Sequence, residues 1–150
     1  MEFKKFDDAS WHYEGDYPEE LAQENSGTHI GMFLTWCIRH KLLSEELMED
    51  AAEEIIEVEN KEITGAQFLW RVMDGKFTSD DVSEEIVPFI DDYYEDGKKF
   101  SYNYYEDYIT VVEKNKKYES IYHVEDSWEN YEVIGKIISN RYDQWKKCHV

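Results

Sequence analysis

The residues best suited to chemistry are Asp7, Asp8, His12, Asp16, His29 and His123. Imidazoles and carboxylates together make the donor set of zinc, iron and manganese sites, and a four-residue step could set His12 and Asp16 on one helical face. A metal-assisted enzyme is one function such a set could serve. The spacing fits no standard pattern such as HExxH, however, and buried polar groups are usually satisfied close to home. The preferred expectation is that these side chains bond nearby backbone or cap helices, with no metal and no cofactor. The chain has no GxSxG and no Gly-rich phosphate loop. Cys37 falls in an apolar helical stretch, where packing is a better reading than nucleophilicity. No catalytic residue is expected, and the chain reads as non-enzymatic.

The formal net charge is −19, and it is unevenly spread. Residues 1–44 carry eight acids and four bases, residues 45–97 eighteen acids and three bases, and residues 98–150 nine of each. Phosphate recognition needs cations, so direct binding of nucleic acid or of an anionic membrane is disfavoured, and a basic protein partner is favoured. Two acidic segments are candidates for its docking surface. One is Glu49, Asp50, Glu53, Glu54 and Glu57; the other is Asp91, Asp92, Glu95 and Asp96, with Tyr93 and Tyr94 as anchors among the carboxylates. On the first segment, five like-charge pairs four residues apart, from Glu45/Glu49 to Glu53/Glu57, cost the helix about 1–2.5 kcal/mol in sum. Local helix stability does not favour such a face; solubility or a partner does.

The elements that must position these groups are helical. A chain of 150 residues is one domain by default, here 1–150, and can bury roughly two-thirds of its unfolded surface. The expected fold is all-α: a compact bundle of about five to six helices around a buried central helix at 28–43, preceded by an irregular aromatic segment. The stretch THIGMFLTWCIRHKLL is apolar on most of its circumference, which demands enclosure, and Thr28 is the expected N-cap. The opening segment should lay Trp11, Tyr13 and Tyr17 on the body, with a short helix from Pro18. Ser44 caps a helix over about 45–58, with Leu47, Ala51, Ile55 and Val58 buried and Met48, Ala52 and Ile56 alongside. Thr64/Gln67, Thr78/Asp81 and Asp126/Glu129 have capping-box spacing, and Pro88 should split the run that continues to about Tyr94. A helix is expected within FSYNYYEDYITVVEK, and the last one spans about 127–146. The longest charge-free run, Ser26 to Ile38, is too short to cross a bilayer. The start, MEFKKFDD, lacks the apolar region of a signal peptide. With two cysteines and no CxxC, reduced thiols in the cytoplasm are expected.

The stretches DDASWHYEGDYPEEL, THIGMFLTW and YHVEDSWENY resemble a family of small bacterial proteins without an assigned biochemical activity. The resemblance spans most of the chain, and the motifs mark the family without marking a reaction. Such proteins occur among genes of polymorphic-toxin and contact-dependent inhibition systems, where small acidic proteins serve as immunity factors. It implies a cytoplasmic protein that binds and neutralises a cognate toxin domain. Set beside the acidity, the expected partner is a cationic, nuclease-like toxin. An acidic mimic of nucleic acid that inhibits a DNA-binding protein is an alternative use of the same surface.

Overall fold

The computed structural model describes residues 2–94, 99–114 and 118–148. Its centre is α2 (Thr28–Arg39), in which every residue from Thr28 to Ile38 is buried. The residue capping α2 is Gly27 rather than Thr28. A 3-10 turn over Gln23–Gly27 runs directly into the helix, so Thr28 is already inside it. No helix starts at Pro18.

Around α2 stand α1 (Ala9–Tyr13), α3 (Glu45–Asp50), α4 (Ala52–Glu59), α5 (Gly65–Val72), α6 (Val87–Tyr93), α7 (Tyr104–Lys114) and α8 (Trp128–Cys148). The all-α expectation holds, with eight helices among the described residues rather than five or six: α1 forms within the segment expected to be irregular, and the helix expected over 45–58 is two. The expected helix over 45–58 is broken at Ala51, whose φ of −119° and ψ of 29° lie outside the helical range. Ser44 caps α3, and Thr64 with Gln67 forms the capping box of α5. Thr78 and Asp81 form one too, but on a 3-10 turn. Pro88 sits in the first turn of α6, after a 3-10 turn over Glu84–Ile86.

The start of α8 departs from expectation. Ser127 Oγ accepts from the N–H of Asn130 at 3.1 Å. Asp126 instead accepts from Thr64 Oγ1 at 2.6 Å, tying the start of α8 to that of α5.

The closest contact in the core is between α2 and α5. A Cβ at Gly31 would lie 2.3 Å from Ala66 N, and one at Gly65 would lie 2.0 Å from Thr35 Oγ1. Both positions must be glycine for the backbones to approach this closely. On the opposite flank α8 packs through Trp36, whose Nε1 donates to Ser139 Oγ at 2.9 Å. Arg141 grips Asp107 of α7 through Nε and Nη2 at 2.9 and 3.0 Å, and Tyr93 of α6 donates to the same carboxylate. Three helices are thereby joined at one charge-assisted node.

The aromatic N-terminal segment is irregular only in its second half, residues 14–22. It begins as β1 (Lys5–Asp8), which pairs antiparallel with β2 (Lys76–Thr78). The register shifts between Lys5 and Asp7, and Phe6, Asp7 and Asp8 are all buried. An irregularity of this kind re-aims side chains that simple alternation would place on opposite faces. Trp11, expected against the body, is 56% exposed. Among the described residues, no helix is long and apolar enough to cross a membrane.

Candidate functional site

The chain builds two places that could act on something else. The first is a polar cluster under the N-terminal segment. The bulged β1 turns Asp7 inward, where it is buried. Asp8 caps α1, accepting from Ser10 N–H at 3.0 Å, and that short helix carries His12 back over Asp7. The first turn of α2 supplies His29 from below.

His12 Nε2 lies 2.8 Å from Asp7 Oδ1, and His29 Nε2 lies 3.3 Å from Asp7 Oδ2. Tyr94 donates its hydroxyl to Oδ2 at 2.5 Å, and the Asp8 N–H donates to Oδ1 at 2.8 Å. The other His12 nitrogen, Nδ1, is 2.8 Å from the Tyr122 hydroxyl. The two imidazoles meet edge to face, with centroids 4.5 Å apart.

Burial alone would raise the Asp7 carboxyl, but hydrogen bonds and charge from His12 and His29 outweigh it and hold the group below the usual carboxylate range. Burial lowers His29, with only partial compensation from Asp7. Tyr94 is driven well up, first by burial and then by the Asp7 charge, and Tyr122 is pushed up to about 12 mainly by burial. The cluster therefore holds an ionised carboxylate among neutral phenols and imidazole N–H donors. It opens on a cavity of about 220 Å³, walled largely by aromatic side chains including Trp11, Tyr105 and Tyr108.

Of the six residues singled out in the sequence, three converge and three do not. Asp8 is spent on its cap. Asp16 lies exposed in the bend beyond α1, so it shares no helical face with His12. His123 turns to Glu20 at 2.9 Å and to Glu119 at 3.9 Å, a separate and more exposed group. Tyr94 and Tyr122 belong to the cluster without having been assigned to it. Cys37 is buried in α2 and its thiol is pushed up by burial, as packing requires and nucleophilicity does not.

The second place is the outer surface of α3 and α4. Met48 and Ile56, expected beside the buried stripe, are 37% and 56% exposed. With Ile38, Leu43, Ala52 and Ile55 they line a groove of about 220 Å³. Glu49, Asp50 and Glu53 are exposed, and Glu54 and Glu57 are half-buried. None of the five forms an ion pair among the described residues; nearby, Glu59 pairs with Lys41 at 2.7 Å.

The other acidic segment is largely engaged within the fold. Asp91 pairs with Lys4 at 2.9 Å, and Asp92 accepts from Trp145 Nε1 at 2.8 Å. Tyr93 and Tyr94 point inward to the half-buried Asp107 and the buried Asp7, which corrects their reading as surface anchors: each phenol already has a carboxylate as its partner. Glu95 and Asp96 lie outside the described residues.

A family model described as "Domain of unknown function (DUF7832)" matches residues 5–124. The chain belongs to that family. The part of the chain matched to the family contains both places: Asp7, His12, His29, Tyr94 and Tyr122 of the cluster, and all of α3 and α4. No curated protein and no solved structure matches the chain.

Proposed function

We propose that the protein is a non-enzymatic immunity factor, acting in the bacterial cytoplasm, that binds and neutralises a cognate cationic toxin domain of nuclease-like character. The observation that carries this reading is the open apolar groove of α3 and α4, edged by the Lys41–Glu59 pair, on two helices whose Glu49, Asp50, Glu53, Glu54 and Glu57 form no ion pair among the described residues. Neither feature helps the fold. Ile56, 56% exposed, gains little from burial, and the like-charge pairs within α3 and α4, Glu45/Glu49, Glu46/Asp50 and Glu53/Glu57, weaken those helices.

Both features suit a partner that presents an apolar residue flanked by Lys and Arg. Ile56 and Met48 supply the contact that is desolvated on binding. Glu49, Asp50, Glu53, Glu54 and Glu57 occupy the cations that a nuclease uses on phosphates, and they steer the encounter. Association near 10⁸ M⁻¹s⁻¹ is expected at low salt, in round numbers, slowing as salt rises. The resemblance to immunity factors points the same way.

The test is binding kinetics with the toxin domain encoded beside this chain. Ile56→Gln should weaken binding about tenfold or more through faster dissociation, because a truncated central contact acts on the off-rate. Replacing Glu49, Glu53 and Glu57 by Lys should slow association and flatten its salt dependence. Wild-type kinetics in both variants would overturn the reading. So would sedimentation showing a dimer that Ile56→Gln dissolves, since a second copy would then be the groove's occupant.

A further inference from the structure

We propose that Asp7, His12 and His29 form a binding site for one first-row divalent cation of the zinc, iron(II) or manganese(II) class. A donor atom from each of the three lies within 4.8 Å of the others. The donor set itself selects the ion: two imidazoles and one carboxylate suit borderline first-row metals, whereas magnesium and calcium prefer oxygen alone.

The spacing fits as well. Bonds of about 2.1 Å at angles of 90–110° put neighbouring donors about 3.0–3.4 Å apart. The distances from Asp7 Oδ1 to His12 Nε2 and from Asp7 Oδ2 to His29 Nε2 are 2.8 and 3.3 Å. The two distances run to different oxygens of the Asp7 carboxylate, and the three donors lie within 4.8 Å of one another, so one cation would replace the imidazole protons by drawing the donors together.

The surroundings are those of a ligand set. Metal-binding imidazoles bond their second nitrogen to a neighbour, and metal-binding carboxylates accept from one. Tyr122 meets His12 Nδ1 and Tyr94 donates to Asp7, so both supports are in place. His29 is 6% exposed and lines the cavity, so an ion on its Nε2 would face that space. Its Nδ1 is buried without a hydrogen-bond partner, so the second-nitrogen support belongs to His12 and not to His29.

Three protein donors with a cavity beside them leave room for water or a small molecule in the remaining coordination positions. The donors come from β1, α1 and α2. An ion there would fasten the N-terminal segment to the central helix independently of any partner on α3 and α4.

The experiment uses the full chain, stripped with chelator and dialysed, titrated with zinc and with cobalt(II). Calorimetry reads stoichiometry, the cobalt absorption bands read nitrogen coordination, and the unfolding midpoint reads stabilisation. One ion per chain should bind with a dissociation constant of about 10 µM or tighter, and magnesium or calcium at the same concentration should not compete. His12→Gln should weaken binding at least tenfold, and Tyr122→Phe, which leaves every ligand in place, by about tenfold. Circular dichroism confirms that each variant is folded. His29→Gln gives a second ligand test if His12→Gln unfolds. His123→Gln should leave binding unchanged. Absence of one-to-one binding, or equal affinity in both ligand variants, overturns the site. So does loss of binding in His123→Gln, which would move the ion to the Glu20, Glu119 and His123 group.

Discussion

Replacing Tyr94 by Phe removes one oxygen from the interior and leaves a buried carboxylate short of a donor. Asp7 Oδ2 then keeps only His29 Nε2 at 3.3 Å, while Oδ1 retains the Asp8 N–H and His12 Nε2, both at 2.8 Å. The ring stays where it was, stacked on Tyr104 at 5.2 Å and edge-on to Phe33 at 5.0 Å, so packing hardly changes. A hydrogen bond to a charged acceptor is worth about 1.5–3 kcal/mol, against about 0.5–1.5 kcal/mol for one between neutral groups. Tyr104→Phe supplies the neutral comparison within the same layer of rings, because its hydroxyl donates to the His29 carbonyl at 2.6 Å. Tyr94→Phe should therefore cost about 1–2 kcal/mol more than Tyr104→Phe, a further drop of about 2–8 °C in unfolding midpoint for a domain of this size. Scanning calorimetry with chelator in the buffer measures both variants free of any bound ion. Equal losses, or a smaller loss for Tyr94→Phe, would refute the picture of Asp7 as an ionised carboxylate held by donated protons.

Gly31→Ala tests the α2–α5 contact. With Ala66 N only 2.3 Å from the new carbon, the helices must part by about 1 Å, at a cost of about 3 kcal/mol or more; a midpoint within a degree of wild type would contradict it. Asp81→Asn tests a titration. Burial raises the half-buried Asp81 carboxyl, and the two hydrogen bonds from Thr78 offset this only in part. An acid whose folded value lies above its unfolded one weakens the fold once ionised, so the penalty is absent in acid and grows as pH rises through the folded value. The Asn variant, which keeps an acceptor for Thr78, should be more stable than wild type at about pH 7 and lose that advantage by about pH 4. Denaturant midpoints at the two pH values decide it, and a variant less stable at neutral pH sinks the reasoning.

What could be read from the chain follows the range of the interaction. The central helix was legible because its residues are apolar nearly all round, and the Ser44 and Thr64 caps because capping is decided within four residues. Where two good caps adjoin, local spacing cannot choose. Ser127 prevails over Asp126 because Thr64, sixty-two positions away, takes the aspartate. The same limit hid the sheet, since three residues of β2 carry no periodicity and their partner strand lies some seventy positions earlier. With the sheet hidden, the convergence of Asp7 with His29 and Tyr94 was hidden too. His12 and Asp7 stand out for their chemistry, but only the pairing of β1 with β2 says that they face the same cavity. The exposed Met48 and Ile56 were missed for another reason. Helical period marks a stripe as apolar, but whether a neighbour covers it depends on the break at Ala51 and on what packs beside α4.

That difference decides how function is divided between the two places. The Asp7 cluster has a structural reason to exist, because its hydrogen bonds hold β1 and α1 on the core; a bound cation would be an addition to a site the fold already uses. The groove has no such reason. Ile56, and the carboxylates beyond the first turns of α3 and α4, could become polar, neutral residues at small cost to folding, and with some gain from relieved repulsion. Both places touch α2, His29 near its first turn and Ile38 near its last. Nine residues of helix separate the two by about 14 Å, too far for one bound partner atom to bridge. A ligand in the cavity and a protein on the groove would therefore meet different chemistry on one rigid rod. The surface that costs α3 and α4 stability is the one a partner would explain, and the binding kinetics of Ile56→Gln and of the Glu49, Glu53 and Glu57 variants decide between a partner and solubility alone.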